Sequence, residues 1–317
     1  MTHRATPSIP NGPRRLFLRY TLASVAAVAA AGVAGVELVN HGVLPGKSLL
    51  DKLDGACSVP APDLTPYAAP GPSLSGTFYS RARNRAVGYT IAYPPGRRPG
   101  DRLPLVIMLH GYGGNHANAV SGMSPAQALA LRAGGGPLAP MAMVTVDGGG
   151  SYWNPHPGDD PMGMLTRELI PMCQRRGLGA APRRIGVMGI SMGGYGALLL
   201  AEKHPLLIAA AAAISPAIFT SYDEARAANA GAYASAADFA ADDAVTHAAA
   251  LAPVPVRVAA GYSDPFYPGV RALAGVLPRG AVVEFGNGCH DGSFFTAQEP
   301  PSLAFLARHL TSPPPAG

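Results

Sequence analysis

The sequence predicts an α/β fold: a mostly parallel, doubly wound sheet carrying a small helical cap. Three observations predict it. Apolar runs recur at 105–109, 141–146, 185–190, 208–214, 254–260 and 281–285, unbroken by the polar alternation of half-exposed strands, as expected of strands covered on both faces. Helical segments at 194–203, 268–276 and 301–310 fall between or after those runs, and regular alternation of this kind implies parallel crossovers. An Ala-rich interval at 215–253, with Asp223, Glu224, Asp238, Asp242 and Asp243, is too long for a plain connection. It is expected to form the cap, with its acids on a solvated face.

The elements before this core follow the same logic. Residues 74–79 and 86–93 read as strands around the basic turn Arg81-Ala82-Arg83-Asn84-Arg85, an antiparallel hairpin at a sheet edge. Residues 37–73 hold Pro45, Pro60, Pro62, Pro66, Pro70 and Pro72 and are expected to run as an extended tether or wrap. The catalytic domain is assigned to 74–310, and 311–317 to a frayed tail. Asp159 and Asp160 precede Pro161 where acidic residues suit the start of a helix.

Residues 1–36 form a distinct leader. Arg4, Arg14, Arg15 and Arg19 all precede the first acidic residue, Glu37, and an uncharged segment at 21–36 follows them. A positive stretch before an apolar one is the form of an export signal, and Arg14-Arg15-Leu16-Phe17-Leu18-Arg19 resembles the twin-arginine signal. Cleavage and retention as a membrane anchor both remain open. The formal net charge of +5 is largely the leader's, so the body is nearly neutral. With 48% hydrophobic and 14% charged residues, disorder and nucleic-acid binding are excluded as functions. The three cysteines, Cys57, Cys173 and Cys289, have no zinc-site spacing. In an oxidising compartment they allow one disulfide and one free thiol, with the pairing open.

The chemistry centres on Gly189-Ile190-Ser191-Met192-Gly193, a G-x-S-x-G pattern between a strand and a helix. A serine on so sharp a turn holds its hydroxyl above the sheet. It needs a base and an orienter to become nucleophilic. Reactive groups in open α/β sheets collect beyond the carboxyl ends of the strands. That rule selects Asp264, in Gly261-Tyr262-Ser263-Asp264-Pro265, and His290, in Gly288-Cys289-His290-Asp291, the one histidine of nine on the loop after the last strand. Asp291 and Asp147 compete with Asp264 for the orienting role. Oxyanion donors are expected from the backbone N–H groups of Met192 and of Tyr112, in the loop His110-Gly111-Tyr112-Gly113-Gly114, with His110 fixing that loop by hydrogen bonding. Tyr152 and Trp153 follow another strand and are candidates to line a substrate pocket, or to anchor their loop by packing. No P-loop, EF-hand or dinucleotide fingerprint is present, so neither a cofactor nor a metal is inferred.

Together, His110-Gly-Tyr-Gly-Gly114, Gly189-Ile-Ser-Met-Gly-Gly-Tyr-Gly-Ala197, Gly261-Tyr-Ser-Asp-Pro-Phe266 and Gly288-Cys-His-Asp291 resemble the esterase D group of α/β-hydrolases. That group includes acyl-ester hydrolases, feruloyl and acetyl-xylan esterases, and secreted mycolyltransferases. The resemblance spans 74–310 and implies an α/β-hydrolase fold with Ser191 as nucleophile, His290 as base and Asp264 as acid. The mycolyltransferases differ from this chain at His110 and carry Glu as the triad acid, which weakens transfer of their activity.

The expected function is that of an exported serine esterase acting on small-molecule, lipid or carbohydrate esters, extracellular or in the cell envelope. It touches membrane only through an uncleaved leader. An acyltransferase passing the acyl group to a sugar or lipid hydroxyl shares every one of these residues. A cell-envelope binding protein with an idle hydrolase fold is the alternative of another class. The natural ester, its chain length and the oligomeric state are not written in the sequence.

Overall fold

The computed structural model describes residues 51, 53–180 and 185–311. The described residues from Ala56 onward form one compact unit; the leader at 1–36 and the tail at 312–317 lie outside the described residues. Among those described, no helix is long and apolar enough to cross a membrane.

The sheet has eight strands. β1 (Ser73–Ser80) and β2 (Arg85–Ala92) are the antiparallel hairpin. β3 (Leu105–Leu109) follows, and a short ribbon of β4 (Arg132–Ala133) and β5 (Gly136–Pro137) stands apart. β6 (Ala142–Val146), β7 (Ile185–Ile190), β8 (Ala210–Ile214), β9 (Val256–Gly261) and β10 (Val282–Gly286) complete the sheet. The order is β1-β2-β6-β3-β7-β8-β9-β10. β2 pairs antiparallel with β6, and all pairings from β6 to β10 are parallel.

The sequence of the buried strands explains the two layers. Successive side chains point to opposite faces, so Leu105, Ile107, Leu109, Val187, Ala211 and Ala213 enter one apolar cluster. Val106, Met108, Met188, Ala210, Ala212 and Ile214 enter the other. On the first face pack α2 (Pro161–Met164), a π-helical turn (Leu165–Leu169), α3 (Ile170–Arg175) and α4 (Met192–Lys203). On the second pack α1 (Pro125–Leu129) and a long final helix, which also runs against the small side chains of β8. The 215–253 interval holds α5 (Tyr222–Ala228), α6 (Ala236–Ala241) and a 3-10 turn (Ala248–Leu251). Ser221 and Ser235 cap its two α-helices through the Glu224 and Asp238 amides. α7 (Tyr267–Ala274) and α8 (Gly292–Thr311) follow.

Of the segment expected as a tether or wrap over 37–73, residues 37–50 and 52 lie outside the described residues. From Ala56 onward it packs along the body, the Tyr67 N–H donating to the Ala130 carbonyl at 2.8 Å and the Tyr93 N–H to that of Pro72 at 2.9 Å. Two expectations are corrected. The last helix begins at Gly292 and runs through Pro300 and Pro301. Burial of Phe294, Leu303, Phe305, Leu306 and Leu310 along its length outweighs the two missing amide donors. Of the acidic pair before Pro161, only Asp160 caps, accepting from the Gly163 N–H at 2.7 Å; Asp159 pairs with Arg83 and Arg85.

The β7–α4 turn is the tightest join in the fold. A Cβ on Gly189 would stand 2.2 Å from the Gly193 carbonyl oxygen, and one on Gly193 would stand 2.0 Å from that of Leu109. Because both obstacles are backbone, neither yields by a rotamer change. Gly193→Ala is therefore expected to destabilise the protein by about 3 kcal/mol, read as a lower urea midpoint at unchanged m.

Candidate active site

Ser191 ends β7 and caps α4 with φ 57° and ψ −120°, a conformation that non-glycine residues seldom occupy. Neighbouring strands hold it there. The Ser191 N–H donates to the Ile214 carbonyl at 2.9 Å, and its own carbonyl accepts from the Tyr195 and Ala217 amides. The hydroxyl is thereby lifted off the sheet, toward the loops after β9 and β10.

Those loops bring two groups to it. The Ser191 Oγ–H donates to His290 Nε2 at 2.8 Å, and His290 Nδ1–H donates to Asp264 Oδ2 at 2.9 Å. A carboxylate can only accept, so Asp264 fixes the tautomer that turns the free Nε2 lone pair to the serine. Asp264 is buried, and its other oxygen accepts from the Phe266 N–H at 2.8 Å. The imidazole is held edge-on between Phe266 and Phe295, each 5.0 Å away between centroids.

The competing carboxylates are engaged elsewhere. Asp147 accepts from the Gly88 and His116 amides, tying β2 to the loop after β3. Asp291 accepts from the Ser293 and Phe294 amides and caps α8. Chain neighbourhood had kept Asp291 in contention; its side chain is spent on the helix end.

The loop after β3 passes directly over the elbow: a methyl on Gly111 would lie 3.5 Å from the Ser191 Cβ. His110 anchors this loop. Its Nε2 accepts from the Gly148 N–H at 2.8 Å, so Nδ1 carries the proton and donates to the Gly111 carbonyl at 2.7 Å. Burial pushes its pKa down, in keeping with a neutral imidazole whose two nitrogens are both occupied. The Met192 amide is the first of α4, where helix geometry offers no internal acceptor, and Tyr112 stands exposed at the rim.

A cavity of about 450 Å³ opens here. Its walls include Gly111, Tyr112, Asn118, Ser121, Ile190 and Phe295, with Ser191 and His290 on the floor. Of the two roles open to Tyr152 and Trp153, pocket lining or packed loop anchor, the structure has the second: both are core residues. Trp153 is fully buried, its ring 5.2 Å from His110 and against Gly148 and Gly196; Tyr152 packs on Phe219 and Tyr195. Both have positive φ, so the loop turns them inward. The 215–253 segment docks on this same loop, Asn154 Nδ2 donating to the Ala232 carbonyl and Asn229 Nδ2 to that of Gly150. It contributes none of the cavity's lining residues among those described, so it flanks the catalytic edge and does not roof Ser191.

Sequence reasoning left the disulfide open. Cys57 bonds Cys289, next to His290, across 232 residues of chain, and the Gly288 N–H donates to the Ala56 carbonyl at 3.0 Å. The segment after Gly55 therefore straps the histidine loop. Cys173 is a buried free thiol, and burial pushes its pKa up to about 12.

Against this geometry stand the relatives. The model of a family described as putative esterases matches residues 80–269, more than half of the chain, and the chain belongs to that family. A search of curated protein sequences finds no match. Among solved structures of the same fold is a ferulic acid esterase, 19% identical, covering 75% of this chain and 98% of its own at a TM-score of 0.59. The S-formylglutathione hydrolase of Agrobacterium tumefaciens is 19% identical, with coverages of 77% and 97% and a TM-score of 0.58. The feruloyl esterase module of Clostridium thermocellum is 18% identical, with coverages of 82% and 97% and a TM-score of 0.58. At these identities the likeness is one of fold, that of the α/β-hydrolases; the family match adds the class, an ester hydrolase.

The strap is directly testable. The native protein should offer no fast-reacting thiol, the unfolded unreduced chain one, and the unfolded reduced chain all three cysteines. Reduction, or replacing both Cys57 and Cys289 by Ser, is expected to cost ~2–5 kcal/mol of stability, read by thermal unfolding.

Proposed function

We propose that this chain is an exported serine esterase in which Ser191 is the nucleophile, His290 the general base and Asp264 the orienting acid. The observation that carries the mechanism is the unbroken chain of hydrogen bonds from Ser191 Oγ through both nitrogens of His290 to Asp264. Ser191 Oγ attacks the ester carbonyl carbon while its proton passes to His290 Nε2. The Tyr112 and Met192 amides receive the oxyanion, and such donors are typically worth ~3–4 kcal/mol each. Collapse expels the alcohol, which takes the proton from Nε2, and leaves an acyl-enzyme. Water, deprotonated by the same nitrogen, then releases the acid.

The substrate side is a small carboxylic ester, in keeping with a cavity of about 450 Å³. Structural neighbours are named for ferulic acid and S-formylglutathione, an aromatic acid whose esters are cleaved and a thioester. Transfer to a sugar or lipid hydroxyl uses the same acyl-enzyme, and the acceptor alone separates it from hydrolysis. Export rests on the Arg14-Arg15 leader, and the Cys57–Cys289 bond supports it, since disulfides persist outside the reducing cytosol.

Three measurements check these assignments. A fluorophosphonate probe should label the folded protein and leave Ser191→Ala unlabelled; equal labelling of both would place the nucleophile elsewhere. Asp264→Asn should keep the fold and lower kcat by ~10⁴-fold on a chromogenic ester, with acid release dominant over transfer when a sugar acceptor is added. In cells, replacing Arg14 and Arg15 by Lys in the full chain should leave the protein inside the cytoplasm.

A further inference from the structure

Helix α8 contains an acid that the mechanism above does not use. Glu299 is fully buried. Its Oε1 accepts from the Ser121 N–H at 2.6 Å, while its Oε2 meets no hydrogen-bond partner among the described residues. Ser121 lines the cavity above Ser191. The preceding residues explain why its amide needs an acceptor. Ala119 and Val120 are buried in the apolar layer beside Phe294 and Leu129, so the Ser121 N–H is carried out of reach of bulk water. An unpaired amide there is costly.

The loop bearing Ser121 is pinned at two points. At one end Thr145 Oγ1 donates to the His116 carbonyl at 2.6 Å, and the His116 N–H donates to Asp147. At the other, Thr296 Oγ1 donates to the Ser121 hydroxyl at 3.0 Å, one turn before Glu299 on the same face of α8. Between these pins lie Asn118 and Ala119, which with Ser121 make the cavity wall facing His290 and Phe295. We propose that Glu299 is a positioning residue of the esterase, holding the 118–121 wall of the acyl cavity through the Ser121 amide. This rests on the reading of Ser191 as the nucleophile beneath that wall.

The charge state of Glu299 follows from its surroundings. Burial raises its pKa to about 8, the Ser121 amide pulls slightly the other way, and no charged side chain enters the balance. Arg257, the buried cation that contacts α8, is committed to Glu284, Gln298 and Ser302. On the loop before the helix, His290 is bonded to Asp264 and Ser191, and Asp291 to the first α8 amides. From the loop opposite, Ser121 presents its amide and hydroxyl, neither of them charged. Glu299 is therefore neutral below about pH 8, its carbonyl oxygen serving Ser121. Ionised above that, it draws solvent into the seam and loosens the wall. The sign for stability follows: the folded protein keeps this proton while an unfolded chain, at the ordinary 4.5, has released it. Stability falls as pH rises from about 4.5 to about 8 and then levels.

The test uses the full-length protein with p-nitrophenyl acetate and butyrate between about pH 6 and pH 9.5. Wild type should show KM for butyrate rising through about pH 8 with kcat little changed. Glu299→Gln, which keeps the acceptor oxygen and cannot ionise, should hold KM flat over that range. Glu299→Leu, lacking the acceptor, should show a KM for butyrate raised roughly fivefold or more at every pH. If Leu fails to fold, Thr296→Val, removing the second pin on Ser121, should raise KM in the same direction. Thermal unfolding should show the wild-type melting temperature falling relative to that of Gln from about pH 4.5 to pH 8. Superimposable KM–pH curves for wild type and Gln overturn the proposal. Fluorophosphonate labelling of wild type and Ser191→Ala keeps the two readings apart: failure of the Ser191 assignment shows as no labelling of wild type or equal labelling of both, whatever the KM–pH curves show.

Discussion

Everything at the catalytic edge depends on how closely three backbones approach at the end of β7. Ser191 is held at φ 57°, a conformation costing about 1–3 kcal/mol for a non-glycine residue. It persists because Gly189, Gly193 and Gly111 let strand, helix and overlying loop meet with no side chain between them. The join to β8, through the Ser191 amide and the Ile214 carbonyl, closes the last freedom. A hydroxyl fixed this way presents one direction to the solvent edge. The loops after β3, β9 and β10 are then constrained to supply what that direction lacks.

The same residue types do opposite work around the elbow, and environment decides which. His110 and His290 stand on either side of Ser191. Backbone groups occupy both nitrogens of His110, and burial keeps it neutral, so it is a structural pin. His290 has one nitrogen on a carboxylate and the other on the serine, the arrangement a general base requires. The carboxylates divide likewise. Asp147 and Asp291 satisfy backbone amides that would otherwise be orphaned, leaving Asp264 alone to face the imidazole.

What was legible in the sequence follows from where the signal is local. Strands buried on both faces announce themselves as apolar runs, so 105–109 and 185–190 match β3 and β7 to the residue. Ser191, Asp264 and His290 were selected because each follows such a run, and a parallel sheet must gather those ends. The misses are tertiary. Nothing local to Cys57 marks Cys289 as its partner, which stands 232 positions further along the chain. Pro300 and Pro301 read as a stop, while the apolar residues that carry α8 past them act through contacts with β8. For Tyr152 and Trp153 the sequence left pocket lining and loop packing open, because the positive φ that buries them has no signature in their identity. Helix α1 was readable and overlooked: Ser124-Pro125-Ala126-Gln127 spells a capping box, and both of its hydrogen bonds form.

Helix α8 connects these separate devices. Its cap, Asp291, is the residue after His290; its first turn supplies Phe295 against the imidazole, and its second supplies Thr296 and Glu299 to the cavity wall. On the reading of His290 as base, that base and the 118–121 cavity wall are thus both held by one element packed on the alanines of β8. Across the base, the Cys57–Cys289 strap fixes the histidine loop from the opposite direction. Substitutions that shift α8 would therefore alter selectivity and proton transfer together. The 215–253 segment reaches the site through the Ala217 N–H, which donates to the Ser191 carbonyl, through Phe219 against Phe266 beside His290, and through the 147–154 loop.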